Sequence, residues 1–351
     1  MFLFKKKLKS HLGIDIGASA IKLVELELEE GRHKLKNYSI FSLKDYLKEN
    51  WYQIPSETGK LSNDEQASII REALKEAKIK SSTAFLSLPV YSTFSTLIDF
   101  PAMSEKEIET AIPYEAKKYV PLPLNEVVLD WSIVNSLEKQ KGLQVLLMAV
   151  PKKIIDDSKK ILQSANLSLS ALESEVFSLS RSLVGNDKST LMLIDIGARS
   201  VSLSIVDDGY VRMIGNLEMG GLKLTKTISQ QMKIDLEEAE KLKKNLPIGQ
   251  GNAAIQLKEA IHSVLDTIIF EVKKVIDAHQ NKYKQQVSKC ILVGGGIQVP
   301  GLTDYFINKL GVEVSLGNPF ARVIYPPLLE PTLKELSPSL AVAVGLAMRG
   351  E

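Results

Sequence analysis

Cysteine is nearly missing from this 351-residue sequence: Cys290 stands alone, which excludes a disulfide framework and a thiolate metal centre and suits a reducing compartment. Histidine is almost as scarce, and His11, His33, His262 and His279 are scattered, with no pair at metal-ligand spacing. Neither sign of charge is in excess. The 44 Lys and Arg against 42 Asp and Glu leave a net +2, too small a surplus to mark nucleic acid as the partner. No apolar run approaches the roughly 18–20 residues of a membrane span. The expectation is a soluble, intracellular chain. Its 44% hydrophobic and 25% charged residues are an ordinary globular balance, and the length suits two or three domains of about 100–200 residues each.

The first residues are Met1-Phe2-Leu3-Phe4, then Lys5, Lys6, Lys7 and Lys9. A secretory signal has the opposite order, with its charges ahead of a longer apolar stretch. Two readings stand: a short foot on an anionic membrane, or a solvated tail before the first strand. At the other end, Leu340–Met348 (LAVAVGLAM) is apolar on every face, which suits a buried helix and is too short for a span.

Two segments resemble each other. Leu12–Leu26 reads LGIDIGASAIKLVEL and Leu193–Val206 reads LIDIGARSVSLSIV, with the two aspartates 180 positions apart. Each is an apolar strand, a glycine turn and a returning strand, so the chain reads as two related α/β halves opened by the same hairpin. Between them, Ser62–Lys78 has helical spacing, Ala84–Leu88 is a short strand, and residues 91–166 read as a strand–helix–strand–strand–helix insert. Its first helix, opened at Ser104, meets Pro113, which predicts a kink or a late start. In the second half, Leu236–Lys243 and Ala253–Gln280 read as helices and Lys289–Val293 as a buried strand before three glycines.

The two hairpin turns carry the chemistry. Gly17-Ala18-Ser19 and Gly197-Ala198-Arg199 place small residues where backbone N–H groups converge on an anion, with Lys22 and Arg199 adding positive charge. Asp15 and Asp195 sit on the strand just behind, where a hard cation or its waters could bridge to a polyphosphate. Gly294, Gly295 and Gly296 form a third point of close approach, suited to a base or ribose. Elsewhere, Trp51 and Trp131 read as packing residues, Cys290 as a small buried hydrophobe, and Lys241, Lys243 and Lys244 as a solvated helix face. Arg181 could pair with a nearby carboxylate or reach a partner.

On these residues the chain resembles the actin-like ATPase superfamily, with an inserted subdomain of the FtsA and PilM type. The resemblance implies two α/β halves around a nucleotide cleft. It also implies that Asp15 and Asp195 hold Mg2+ through water, that Lys22 touches phosphate, and that Glu240 and Lys243 contact the adenosine of ATP. Ala171–Leu183 (ALESEVFSLSRSL) is similar to the connecting helix, with Glu175 as the catalytic glutamate and Val176 in place of the family's proline. The subdomains would be 1–90, the insert 91–166, a return at 167–190, then 191–215, 216–285 and 286–351.

Within the superfamily the stretches IDFPAM (98–103), ETAIPYEAKKYVPLP (109–123) and NEVVLDW (125–131) resemble the type IV pilus assembly family. That resemblance implies an ATP-binding cytoplasmic scaffold, peripheral at the inner-membrane face. Its partner would be the N-terminal peptide of PilN, held in a groove between the first subdomain and the insert. Other pilus inner-membrane and motor components would follow, with no nucleic acid, membrane contact mainly indirect, and slow or no ATP hydrolysis. The alternatives are an actin-like ATPase whose hydrolysis is the output and an FtsA-like division protein. The latter needs a C-terminal membrane-targeting helix, which the stop at Glu351 leaves no room for.

Overall fold

The computed structural model describes residues 10–47, 61–134, 142–245 and 252–350; the basic N-terminal segment and Trp51 lie outside the described residues. Strand β1 (Ser10–Ile16) pairs antiparallel with β2 (Ala20–Glu29), which pairs antiparallel with β3 (Arg32–Ser42). Helix α1 (Leu43–Leu47) and helix α2 (Asn63–Glu76) follow. The second starts in a reciprocal cap between Ser62 and Glu65 and buries Ala67, Ile69, Ile70 and Ala73 along one stripe. Strand β4 (Thr83–Leu88) then pairs in parallel with β1.

The insert folds as the alternating pattern predicts. Strands β5 (Phe94–Phe100), β6 (Val127–Val134) and β7 (Leu143–Pro151) form an antiparallel sheet in the order β5-β7-β6. Helix α3 (Glu105–Tyr119) lays Ile108, Ile112 and Ala116 on that sheet, and Trp131 packs into the same core. This helix has neither late start nor break at Pro113, because the proline sits on its exposed face. There the carbonyl that loses its partner faces water, which softens a cost of about 3 kcal/mol in a helix interior.

Helix α4 (Lys152–Ser164) leads to β8 (Ser168–Ser174), parallel to β4, and then to helix α5 (Glu175–Leu179). The connecting helix expected over 171–183 therefore begins only at Glu175, since 168–174 are drawn into the sheet. The hairpin motif recurs as β9 (Leu191–Ile196), β10 (Val201–Asp207) and β11 (Tyr210–Leu217). Helices α6 (Gly221–Met232), α7 (Leu236–Lys244) and α8 (Asn252–Tyr283) come next, then β12 (Lys289–Val293), helix α9 (Leu302–Leu310) and β13 (Glu313–Leu316). Strand β14 (Val323–Ile324) and helix α10 (Glu330–Ala347) close the described chain.

Two compact units result. The first contains residues 1–88, 157–183 and 317–351, with the sheet order β14-β3-β2-β1-β4-β8. The second contains 89–156 and 184–316, with the insert's sheet and a sheet ordered β11-β10-β9-β12-β13. Residues 317–351 thus pack with the first unit. The reason is close packing: helix α10, apolar on every face from Leu340 onward, lies on β1 and β2 and buries Leu340, Ala343, Val344 and Ala347 against Val24 and Leu26. A Cβ on Gly13 would strike Ala343 O and come within 2.8 Å of Ala347 N and Leu346 Cβ.

Within the second unit a buried polar chain joins the insert to β10 and β11. Arg212, with 1% of its side chain exposed, donates to Gln144 Oε1 at 3.2 Å, and the Gln144 amide donates to Asp99 at 2.7 Å. The Arg212 Nε lies 3.7 Å from Asp207 Oδ2, and His279 of α8 is wholly buried nearby. Cys290 is also buried, which pushes its thiol up to about 12, as befits an inert core residue.

Two stability predictions follow from this packing. Gly13→Ala should cost about 1–3 kcal/mol in urea unfolding, by overpacking at α10. Burial holds the His279 imidazole below its ordinary value, against the opposing pull of Asp207. The unfolded chain therefore takes up the proton first as pH falls below about 6.5, so stability drops there toward the folded value. Unfolding midpoints measured between pH 7.5 and 5.5 should show this drop, and His279→Phe should flatten it.

Candidate functional site

The first unit brings Asp15, Gly17, Ser19 and Lys22 to one end of the β1–β2 hairpin. Gly17 N donates to Ala20 O at 3.0 Å, closing the turn, and Leu43 N donates to Ser19 O at 2.9 Å. Asp15 and Lys22 face each other across the ladder, and Lys22 Nζ lies 3.0 Å from Asp15 Oδ2. Only 14% of the lysine and 10% of the aspartate side chain is exposed, so this pair is largely desolvated. Ser87, from the end of β4, donates to Asp15 Oδ1 at 2.9 Å. Reading along the sequence missed Ser87, because its partner stands on a neighbouring strand.

The second unit repeats the turn closely. Gly197 N donates to Ser200 O at 2.9 Å, the counterpart of Gly17 to Ala20. Here the start of helix α6 is added: Gly221 N donates to Gly197 O at 3.0 Å and Leu222 N to Ala198 O at 2.8 Å. Close approach demands glycine. At Gly220 a Cβ would stand 2.8 Å from the Ala198 carbonyl carbon, and at Gly296 it would stand 2.7 Å from Ile196 O. Gly294 adopts φ +98°, and a Cβ there would strike the Asp195 carboxylate. The Gly197–Arg199 turn, Gly220–Gly221 and Gly294–Gly296 therefore form one cradle beside Asp195. The part of Gly220 and Gly221 in the cradle went unseen in the sequence, because their partners lie on other segments of the chain. Burial pushes the Arg199 guanidinium below its ordinary value, with the Tyr91 hydroxyl opposing.

Glu240 and Lys243 join this cradle from helix α7. Lys243 Nζ lies 2.6 Å from Glu240 Oε2 and donates to Thr225 Oγ1 at 3.0 Å and Gly221 O at 3.2 Å. Thr225 donates to Glu240 Oε2 at 2.5 Å. Lys243 is thus buried, which corrects the expectation of a solvated face; Lys241 and Lys244 stay exposed. Burial pushes the Glu240 carboxyl up, but Lys243 and the hydrogen bonds from Lys243 and Thr225 outweigh it and hold the group below the usual carboxylate range.

Glu175 is the first residue of α5, half-buried, and is followed by the fully buried Val176. Its neighbour Glu173 carries the structural load. Arg181 donates to both Glu173 oxygens at 2.6 and 2.8 Å, and Ser178 donates to Glu173 Oε2 at 3.0 Å. Arg181 also donates to Gly345 O at 2.8 Å, so it pairs with a carboxylate and ties the turn after α5 to helix α10.

Among the described residues no group of three or more His, Cys, Asp and Glu could hold a metal ion. Asp15 and Asp195 each offer one carboxylate behind a turn, a donor set compatible with a cation held through its waters.

Three solved structures share this architecture. EutJ, the ethanolamine utilization protein from Carboxydothermus hydrogenoformans, matches with TM-score 0.57 and 16% identity, covering 97% of this chain and 90% of that one. MreB5 of Spiroplasma citri bound to ADP matches with TM-score 0.56 and 10% identity, covering 97% and 96%. A PilM–PilN type IV pilus biogenesis complex matches with TM-score 0.81 and 28% identity, covering 97% and 98%. The fold is that of the actin-like ATPases, with the hairpin duplicated and a small antiparallel insert. The family model for type IV pilus assembly protein PilM matches residues 13–351, and the chain belongs to that family.

The Glu240–Lys243 pair gives a direct test. Lys243→Met leaves a buried carboxylate without its cation and should cost about 3–5 kcal/mol in denaturant unfolding. Adding Glu240→Leu should recover much of that loss in a double-mutant cycle.

Proposed function

We propose that this chain is an ATP-binding scaffold of type IV pilus assembly that holds the N-terminal peptide of PilN. The observation that carries this reading is the whole-chain match: the family model spans 13–351, and the PilM–PilN complex aligns over 97% of the chain at 28% identity. The insert over 91–166 is the neighbourhood we assign to the peptide. It exposes Tyr114, Tyr119, Leu122 and Val128, apolar residues of the kind that anchor a short helical or extended segment. A scaffold joined to a membrane protein in this way would sit peripherally at the inner-membrane face. Among the described residues, no helix is long and apolar enough to cross a membrane.

The glycine cradle supports a nucleotide role. Backbone turns at Gly17–Ser19 and Gly197–Arg199, with Lys22 and Arg199, would take the phosphates, and Glu240, Lys243 and Gly294–Gly296 the adenosine. Mg2+ would neutralise phosphate charge and reach Asp15 and Asp195 through water. Glu175 is the one residue we assign to orienting an attacking water, and the buried Val176 after it replaces the family's proline. On that ground we assign slow or no hydrolysis, with ATP acting as a ligand that shifts a conformational balance.

Two measurements test this. Calorimetric titration of a synthetic N-terminal PilN peptide of the same organism, with ATP and Mg2+ present, should give saturable binding that Leu122→Asp weakens at least tenfold. No binding with or without nucleotide would sink the scaffold reading. Asp15→Ala and Asp195→Ala should each weaken binding of a fluorescent ATP analogue about tenfold or more, and unchanged affinity in both would remove the assigned site.

A further inference from the structure

Asp15 is flanked on both sides of its strand. On the antiparallel side its ladder partner is Lys22, whose ammonium takes Oδ2 at 3.0 Å. On the parallel side β4 runs in register from Leu12 opposite Ala84 to Ile14 opposite Leu86, so Ser87 stands one step further on, level with Asp15. Residues level in a parallel ladder point to the same face, and the Ser87 hydroxyl takes Oδ1 at 2.9 Å. Ser87 is itself buried, with 6% exposed.

The two anchors differ in kind. Lys22 brings a full charge and three donors, and it also lies beside the Gly17 turn: its Nζ is 3.8 Å from where a Cβ on Gly17 would stand. Any phosphate seated on that turn competes with Asp15 for the lysine. Ser87 has one proton to give, and gives it to Asp15. It adds no charge, yet it fixes the carboxylate plane, which otherwise turns freely about a broad torsion.

The second half lacks this arrangement. Asp195 has Ser202 opposite it on the antiparallel side, where Asp15 has Lys22, and Val293 level with it on the parallel side, where Asp15 has Ser87. Val293 carries no donor. The duplicated hairpins have diverged at the two positions that face the aspartates.

We propose that Ser87 is a positioning residue for Asp15, holding its carboxylate oriented toward a hydrated divalent cation when Lys22 is drawn to phosphate. This rests on the nucleotide reading above. Each carboxylate oxygen accepts about two hydrogen bonds, so with one anchor on each the outer lone pairs remain for the waters of the cation. Ser87 therefore acts on the cation-dependent part of nucleotide affinity, while Lys22 acts on the phosphate-dependent part.

The full chain is titrated with N-methylanthraniloyl-ATP in excess Mg2+ and again in EDTA. Wild type should bind more tightly with Mg2+. Ser87→Ala should lose about five- to tenfold of the Mg2+ affinity and stay within about twofold of wild type in EDTA; Ser87→Thr, which keeps the hydroxyl, should restore it. Lys22→Met should weaken binding in both conditions. Thermal melts without nucleotide identify a variant that fails to fold, and then the Thr and Lys22 variants carry the comparison. A wild-type Mg2+ to EDTA ratio in Ser87→Ala overturns the proposal, as does wild-type binding that ignores Mg2+. Wild type that binds the analogue under neither condition overturns the nucleotide reading itself.

Discussion

Everything in this fold depends on backbones approaching more closely than a side chain would allow. Helix α10 can lie on β1 because Gly13 has no Cβ to meet Ala343, and α5 meets α10 where Gly345 faces the Ser178 backbone. Around the second hairpin, Gly220, Gly294 and Gly296 all crowd the carbonyls of Ile196, Gly197 or Ala198. Direct backbone contact leaves a turn that is rigid and lined with amides and carbonyls, with side-chain chemistry confined to the rim. That suits recognition of phosphates, whose oxygens ask for N–H donors at fixed positions.

The duplicated hairpins were legible in the sequence because the motif is local: apolar strand, Asp, Gly, small residues, apolar strand. The pairing of Glu240 with Lys243, three residues apart on one helix, was not read from the sequence, where Lys243 stood as part of a solvated face. Nor was the burial of Lys243, since it is imposed by Gly221 and Thr225 from another helix. Ser87 was hidden for the same reason. Its partner lies 72 positions away, and nothing in a run of strand residues marks the one that faces a carboxylate.

Other differences come from pairing that only the sheet reveals. The helix assigned to 171–183 lost its first turn to β8 because β4 offered a free parallel edge. In the terminal segment, β14 adds to β3 and α10 covers β1 and β2, partners roughly 300 positions earlier in the sequence. Even Pro113, read from the sequence as a kink or a late start, sits within a continuous helix where the orphaned carbonyl meets solvent. Local propensity yields whenever burial of an apolar face outweighs it.

The chain's path through its two units has a consequence for synthesis. The first unit is assembled from three separated stretches, the last of them supplying the edge strand β14 and the helix that covers β1 and β2. Until the ribosome has released that stretch, the sheet lacks β14 and the helix that covers β1 and β2, and the hairpin bearing Asp15 waits unfinished. A nascent chain stalled before residue 317 would therefore offer chaperones and proteases an apolar sheet, and maturation of the first hairpin waits on the strand and helix that follow that point.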